Sequence, residues 1–371
     1  MIVPTVSAMR IHGGKSMVMS ELDFIGNCAS VLMKGKRSSA RSGRGFIDPQ
    51  IVLRLLAENR MMTACEIATA RTGSAPFEGF ADAFLSARGR AMLVNSQNMA
   101  MMRLALPALR CSNIEPVLFK GPLALAQLYG DLFFRTANDM DMLVRKAQFD
   151  DAVSTLLSVG FTLRPDCGNA WWRQSLGEVH LQHVDFPLCT IDLHHKLQQP
   201  GCPSPKRPEE IHDLVTQLSL GSEVVQGFGP VGSLLVASLN LVKGVMAHKF
   251  SGKYALDVAV GLSRLSGADQ SNLEELLKRQ DLLGSFGFAV QLSEAAFDVE
   301  LDFPSSPPQW QNTEMRIMVI DPENPSLNWP RRREMLWHMT RDREGLFGAR
   351  LRFAQETLRA LSGEALRKVG V

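Results

Sequence analysis

The apolar positions along the chain fall into three regimes. From Pro49 to about Arg110, Ile51, Leu53, Leu55 and Leu56 open one stretch, and Phe84, Leu85, Ala91, Met92, Val94, Met99 and Met102 mark a second. Several of these are spaced by three or four residues or a multiple of that, which predicts helices. The character changes at Asn113. Pro116 to Phe119 is a short apolar run that suits a buried strand, and Leu123 to Tyr129 reads as a helix, with Pro122 in its first turn and Gly130 as its C-cap. Asp139 to Val144 alternates, with both acids on one face and two methionines on the other, as a strand does. Lys146 to Val159 is amphipathic and helical, Phe161 to Leu163 begins another strand, and Val179–Phe186 and Leu188–His194 flank Pro187 as a hairpin. The order β-α-β-α-β-β-β is a compact unit of about 85 residues. Past Gly201 a polar, Pro-rich stretch to Pro208 reads as a linker. Helical patterns then dominate: Ile211–Leu218, Gly232–Phe250, Ala255–Ser266 and Leu273–Ala296. Residues 302–330 hold six of the nineteen prolines and read as an irregular connection, and a basic amphipathic helix is expected within Arg332–Leu361.

The fold class expected is α+β, a small mixed β-sheet flanked by N- and C-terminal helical regions. The boundaries read as 1–46 for a flexible basic arm, 47–112 for an N-terminal helical region, 113–200 for the sheet-bearing core, 209–300 for a helical domain and 301–371 for the Pro-rich connection and basic C-terminal helix. With 371 residues, 21% charged and 45% hydrophobic, the composition is that of a folded protein and excludes a mostly disordered one. No apolar run reaches the ~18 residues of a membrane span. The nearest, Val231 to Val242, is interrupted by Ser233, Ser238 and Asn240 and reads as a buried helix. The first fourteen residues lack a basic region followed by an apolar block, so no secretory signal is expected, and an internal start at Met17 or Met19 is open. Six cysteines without a CxxC pair argue against a zinc ribbon or a disulfide scaffold and for a reducing, cytoplasmic location.

The net charge of +2 is unevenly spread: residues 1–46 and 331–371 each carry net +5 and the middle is net −8. That disfavours a uniformly basic nucleic-acid binder and leaves phosphate or RNA contact at the two ends open. The run from Lys34 to Gly45 cannot bury an apolar face and reads as a solvated linker or a phosphate-contacting tail.

The candidate chemistry concentrates on three acids. Asp139 and Asp141, at i and i+2 on a strand, point to the same face, close enough to share one or two divalent cations. Such oxygen ligands suit Mg²⁺, which takes carboxylates together with substrate phosphates. Asp192, on a later strand, supplies a third carboxylate for a two-metal clamp. Gly121 lies at a strand-to-helix turn, where phosphate can approach a helix N-terminus, and Lys120 beside it offers a point charge.

Taken together, Val117 to Leu125, Leu128-Tyr129, Arg135, Asp139 to Val144 and Ile191-Asp192-Leu193-His194 resemble a bacterial nucleotidyltransferase family, a largely uncharacterised branch of the DNA polymerase β-like superfamily. The resemblance covers residues 113–197 strongly and 232–262 more loosely. It implies that 113–200 is a nucleotidyltransferase catalytic core. Asp139, Asp141 and Asp192 would bind metal, Asp192 also drawing a proton from the acceptor hydroxyl. Lys120 and Gly121 would hold a triphosphate, and Arg135 would contact phosphate or brace its loop. His248, Lys253 and Asp257 would fall in a helical segment that contacts substrate or nucleotide. Two departures stand out: Pro122 follows Gly121 where the superfamily has Ser or Gly, removing a backbone donor, and methionines take the places of Ile or Leu at 140 and 142.

Other residues are weaker signals. His180 and His183 project to opposite faces of a strand, a poor zinc pair. His194 reads as orienting the Asp192 strand, contacting a ligand or bonding within the core. Trp171-Trp172 suit a lid or core as well as a stacked base, Arg331 to Arg333 a solvated face as well as RNA, and Cys189 a buried position. The leading function is Mg²⁺-dependent transfer of a nucleoside monophosphate from an NTP to a small molecule or peptide. A toxin-like enzyme acting on tRNA and a non-catalytic nucleotide-binding regulator are the alternatives.

Overall fold

In a computed structural model the described residues are 17–33, 47–72, 79–167, 169–305, 308–340 and 346–369. Four helices lead into the sheet: α1 (Met17–Ser30), α2 (Pro49–Glu58), α3 (Met62–Thr72) and α4 (Phe80–Cys111). The central unit runs β1 (Val117–Leu118), α5 (Gly121–Tyr129), β2 (Asp139–Leu143), α6 (Phe149–Ser158), β3 (Thr162–Leu163), β4 (Glu178–Gln182) and β5 (Thr190–His194). Then come β6 (Val215–Leu220) and β7 (Glu223–Phe228), followed by α7 (Pro230–Met246), α8 (Gly252–Arg264), α9 (Gly267–Arg279), α10 (Leu283–Phe297), α11 (Asn312–Ile320), α12 (Arg332–Thr340) and α13 (Leu346–Val369). The α+β expectation holds. Among the described residues the strands form one mixed sheet in the order β3-β4-β5-β2-β1-β7-β6.

The sheet has two unlike faces because β2 alternates Asp-Met-Asp-Met. Met140 and Met142, with Leu118, Ile191, Leu193, Val179 and Leu181, pack against Met101, Met102 and Leu109 of α4 and Phe149, Val153 and Leu156 of α6. The other face carries the acids, and its apolar members Val117, Phe119, Leu143 and Phe228 join the core formed with α7, α8 and α10. Both α7 and α10 are buried nearly all round, which explains their apolar sequences, and no helix of the described residues is long and apolar enough to cross a membrane.

Five readings of the pattern are corrected. Ile211–Leu218 is not a helix: a 3₁₀ turn over Pro208–Leu214 leads into β6 and β7. Val215-Thr216-Gln217-Leu218 is β-branched and alternating, and Gly221-Ser222 makes the two-residue turn, Gly221 at φ 63°. Strand β7 then pairs parallel with β1, so the sheet is larger than the pattern suggested. Residues 17–30, inside the segment read as an arm, form α1, whose Leu22, Ile25, Cys28 and Ala29 make a buried stripe; Lys34 to Gly45 lies outside the described residues. The Leu273–Ala296 helix is two helices, broken at Gln280–Leu282, where Asp281 has φ 57°. Within 302–330 the short helix α11 forms behind a capping box of Gln311 and Glu314. The final basic stretch also divides, into α12 and α13.

Candidate active site

The loop that delivers β2 is fixed from behind by α4. The Asn95 amide donates to the Leu132 and Arg135 carbonyls and accepts from the Ala137 N–H, and Asn98 donates to the Ala137 carbonyl. Two buried asparagines on one helix face, three residues apart, thus pin the backbone two residues before Asp139. No motif announced them; asparagine at buried helical positions is the available signal, since an amide there requires partners.

Gly121 sits at φ 67°, and a Cβ added there would lie 3.0 Å from the Asp139 carbonyl oxygen. Both facts call for glycine: the left-handed conformation and the close approach of β2. Helix α5 begins at this residue, with Pro122 in its first turn.

Parallel pairing sets Asp141 opposite Asp192, and antiparallel pairing of β4 with β5 sets His180 opposite Asp192 and Glu178 opposite His194. The three-strand register therefore gathers Asp139, Asp141, Asp192, His194, Glu178 and His180 on one face. Asp141 Oδ1 accepts from the Lys120 ammonium at 2.7 Å and lies 3.1 Å from His194 Nε2. The other nitrogen of His194 is 3.3 Å from Glu178 Oε2, and the ring packs edge-on against Phe119. His180 Nε2 stands 3.6 Å from both Glu178 and Asp192, and Thr190 Oγ1 donates to Asp192.

The electrostatics follow from this crowding. Burial, then repulsion from Asp139 and Asp141, pushes the Asp192 carboxyl up to about 7. Burial and Asp141 likewise raise Asp139. Burial would raise Asp141 too, but Lys120 and His194 outweigh it and hold that carboxyl well below its ordinary value. Burial opposes the charge on Lys120 as well, yet the Asp141 carboxylate keeps the ammonium protonated far above its usual range. Glu178 is buried but held down to about 2, chiefly by the neighbouring His180 and His194 rings.

Among the described residues, Asp141, Asp192 and His194 offer ligand atoms that all lie within 4.8 Å of one another, enough to hold a metal ion. Asp139 shares the face but lies outside that group, and His194, read from the sequence as orienting the Asp192 strand or contacting a ligand, belongs to it. Carboxylate oxygens fit a hard divalent cation, and Lys120 on Asp141 offsets only part of the negative charge gathered here.

A cavity of about 130 Å³ opens between α5, α7 and α8, lined by Lys120, Gly121, Asp139, Asp141, Lys253 and Tyr254, with Arg60 and Asn240 at its wall. Burial, then Arg60 and Arg135, lowers Lys253 to about 7, and its ammonium sits over the Tyr254 ring. Arg135 and Asp257 also border the cavity, but they are joined to each other. Two guanidinium–carboxylate bonds of 2.8 and 2.6 Å link them, and the Tyr129 hydroxyl donates to the same carboxylate. The pair ties the loop before β2 to α8, and Tyr129 stacks on Phe134 at 3.7 Å behind it.

The weaker signals settle elsewhere. His183 packs on Phe161 and Phe186, Trp172 lies edge-on to His180, and His248 stacks on Trp329 away from the cavity lining. Cys189 is buried, its thiol bonded to the Val94 carbonyl. Arg332 donates to the Gly201 carbonyl. Sequence reasoning missed Glu178, Asn95, Asn98, Asn240 and Tyr254. Glu178 comes into play only through its register with His194, which no local spacing encodes.

A family model described as an uncharacterised nucleotidyltransferase matches residues 47–298. No curated protein matches the chain.

Proposed function

The chain belongs to the uncharacterised nucleotidyltransferase family, and from that premise we propose that it transfers a nucleoside monophosphate from an NTP to a hydroxyl on a small molecule or peptide, with Mg²⁺ and in the cytoplasm. The observation that carries this reading is the in-register pairing of Asp141 with Asp192, beside Asp139, with the Lys120 ammonium on Asp141 at the start of α5. Such an arrangement holds negative charge ready for a divalent ion and places a cation and a helix N-terminus where phosphates would arrive.

Asp139, Asp141 and Asp192 would hold Mg²⁺, with His194 as a further donor. Bound there, the metal would offset phosphate charge and steady the leaving pyrophosphate. Lys120 would leave Asp141 for the triphosphate, and Lys253, nearby on α8, would regain its full charge beside the anion. The acceptor oxygen attacks the α-phosphorus, the bond from that phosphorus to the bridging oxygen breaks, and pyrophosphate departs. Asp192, on the strand beside Asp141, would take the hydroxyl proton. Arg135 and Asp257 act as a brace: both already satisfy each other, so neither needs a phosphate. The cavity of about 130 Å³ is below the ~300–1,000 Å³ of whole-ligand pockets, which suits it to phosphates and metal while base and sugar lie outside.

The test is transfer of label from α-³²P-NTPs in cell extract. The reading expects a labelled small molecule or peptide that vanishes with Asp139→Asn/Asp141→Asn. Label in RNA would favour the tRNA-modifying alternative, and nucleotide binding without transfer the non-catalytic one.

A further inference from the structure

A second concavity, of about 460 Å³, opens at the C-terminal ends of β2 and β5, within the size range of small-molecule sites. Leu143 and His195 line it; Leu143 follows Asp141 by two residues, which places the pocket about 7 Å along the strand from that acid. Lys146, Lys196, Lys206 and Arg359 converge on it. Two acids also line it: Glu356, paired with Arg359 at 3.1 Å, and the exposed Glu209, 4.0 Å from Arg145. Lys146 and Lys206 are exposed and form no ion pair among the described residues. Lys196 is held by the Gln174 and Ser175 carbonyls.

Two independent observations say that the pocket is built for an anion with a hydrogen-bond donor. The cations disfavour one another: Lys146, Lys196, Lys206 and Arg359 face one concavity with only Glu209 and Glu356 as acids among them, so like charges are crowded together. A bound anion would relieve that repulsion. Separately, Gln198 is only 7% exposed, lines the pocket, and has a buried side-chain oxygen with no hydrogen-bond partner among the described residues. An orphaned acceptor of this kind is costly to bury unless a ligand donor meets it.

We propose that this pocket binds the acceptor of the transfer reaction, and that the acceptor is a phosphorylated small molecule whose phosphate meets Lys146, Lys196 and Lys206 and whose hydroxyl or amine donates to Gln198. The assignment rests on the proposed nucleotidyl transfer. Phosphate chemistry alone would also suit the triphosphate of the NTP, but that ligand is served by Lys120 and Gly121 on the other side of the β2–β5 acids. The two sites flank the same carboxylates, as donor and acceptor of one displacement must.

Calorimetric titration of the full chain with inorganic phosphate, ribose 5-phosphate and ribose, and separately with Mg·ATP, tests this. The variants are Lys146→Glu/Lys206→Glu, both at exposed positions, and Gln198→Leu, with unfolding curves recorded for each. The expected result is binding of ribose 5-phosphate but not ribose, weakened at least about tenfold by the double lysine variant, with Mg·ATP affinity unchanged. Gln198→Leu should weaken ribose 5-phosphate several-fold and leave inorganic phosphate as it was. No binding of either phosphate at millimolar concentration, with Mg·ATP still bound, overturns the inference and spares the transfer reading. Displacement of ribose 5-phosphate by ATP, or loss of ATP affinity in the lysine variant, assigns the pocket to the NTP and overturns it as well. Phosphate binding without any Mg·ATP binding removes the acceptor role along with the transfer reading.

Discussion

The Arg135–Asp257 pair separates a brace from a ligand contact. Its side chains are 11% and 7% exposed, it has two short charge-assisted bonds, and a third partner, the Tyr129 hydroxyl, is spent on the same carboxylate. Replacing Asp257 by Asn would leave the guanidinium charged and buried with its best acceptor weakened. Breaking one side of a buried pair costs about 3–5 kcal/mol, most of it from the stranded charge. Asn retains one acceptor oxygen, so we expect about 3 kcal/mol for Asp257→Asn and a similar loss for Arg135→Met. The double variant Arg135→Met/Asp257→Asn strands no charge and should recover at least about 2 kcal/mol of the summed single losses. Tyr129→Phe removes one hydrogen bond and should cost about 1 kcal/mol. Urea denaturation at constant m reads all four. A loss below about 1 kcal/mol for Asp257→Asn, or a large drop in nucleotide affinity at full stability, would refute the brace and make these residues nucleotide contacts.

Three other outcomes follow from the site. Gly121→Ala should destabilise by about 1–2 kcal/mol, because alanine resists φ 67° and its methyl meets the Asp139 carbonyl, and should depress turnover further by shifting that strand; thermal unfolding and steady-state rates check both. Lys120→Met should tighten Mn²⁺ binding about tenfold in the absence of nucleotide, since the ammonium competes for Asp141, while weakening NTP binding; calorimetry that finds both weakened contradicts this. The Asp192 carboxyl is raised to about 7, so below that pH the metal must displace a proton. Metal affinity should rise up to about tenfold per pH unit from 5 to 7 and level off above, and Asp192→Asn should flatten that slope.

The sheet's acidic face was legible where local chemistry is strict. Alternation in Asp139–Leu143 forces both acids to one side, Gly121 is dictated by a turn that excludes a Cβ, and the β4–β5 hairpin follows from two β-rich runs around Pro187. What escaped depends on contacts distant in sequence. Glu178 gains meaning only opposite His194, and Asn95 and Asn98 only against a loop about 40 residues away. Strand β6 was hidden because Ile211–Leu218 carries helix-compatible apolar spacing; the Gly221-Ser222 turn was the cue, and its pairing through β7 to β1 decided the matter. Arg135 and Asp257 stood in nucleotide-contacting positions by resemblance, yet each found the other, since a buried charge takes the nearest opposite one.

The central claim is that Asp139, Asp141 and Asp192 support metal-dependent nucleotidyl transfer. Its most direct test is pyrophosphate release from each of the four NTPs with Mg²⁺ and cell extract, comparing the native chain with Asp139→Asn/Asp141→Asn. The account predicts release that requires Mg²⁺ and disappears in the double variant while the fold is kept. Release that survives the double variant, or a native chain that neither binds nor cleaves any NTP, would contradict it.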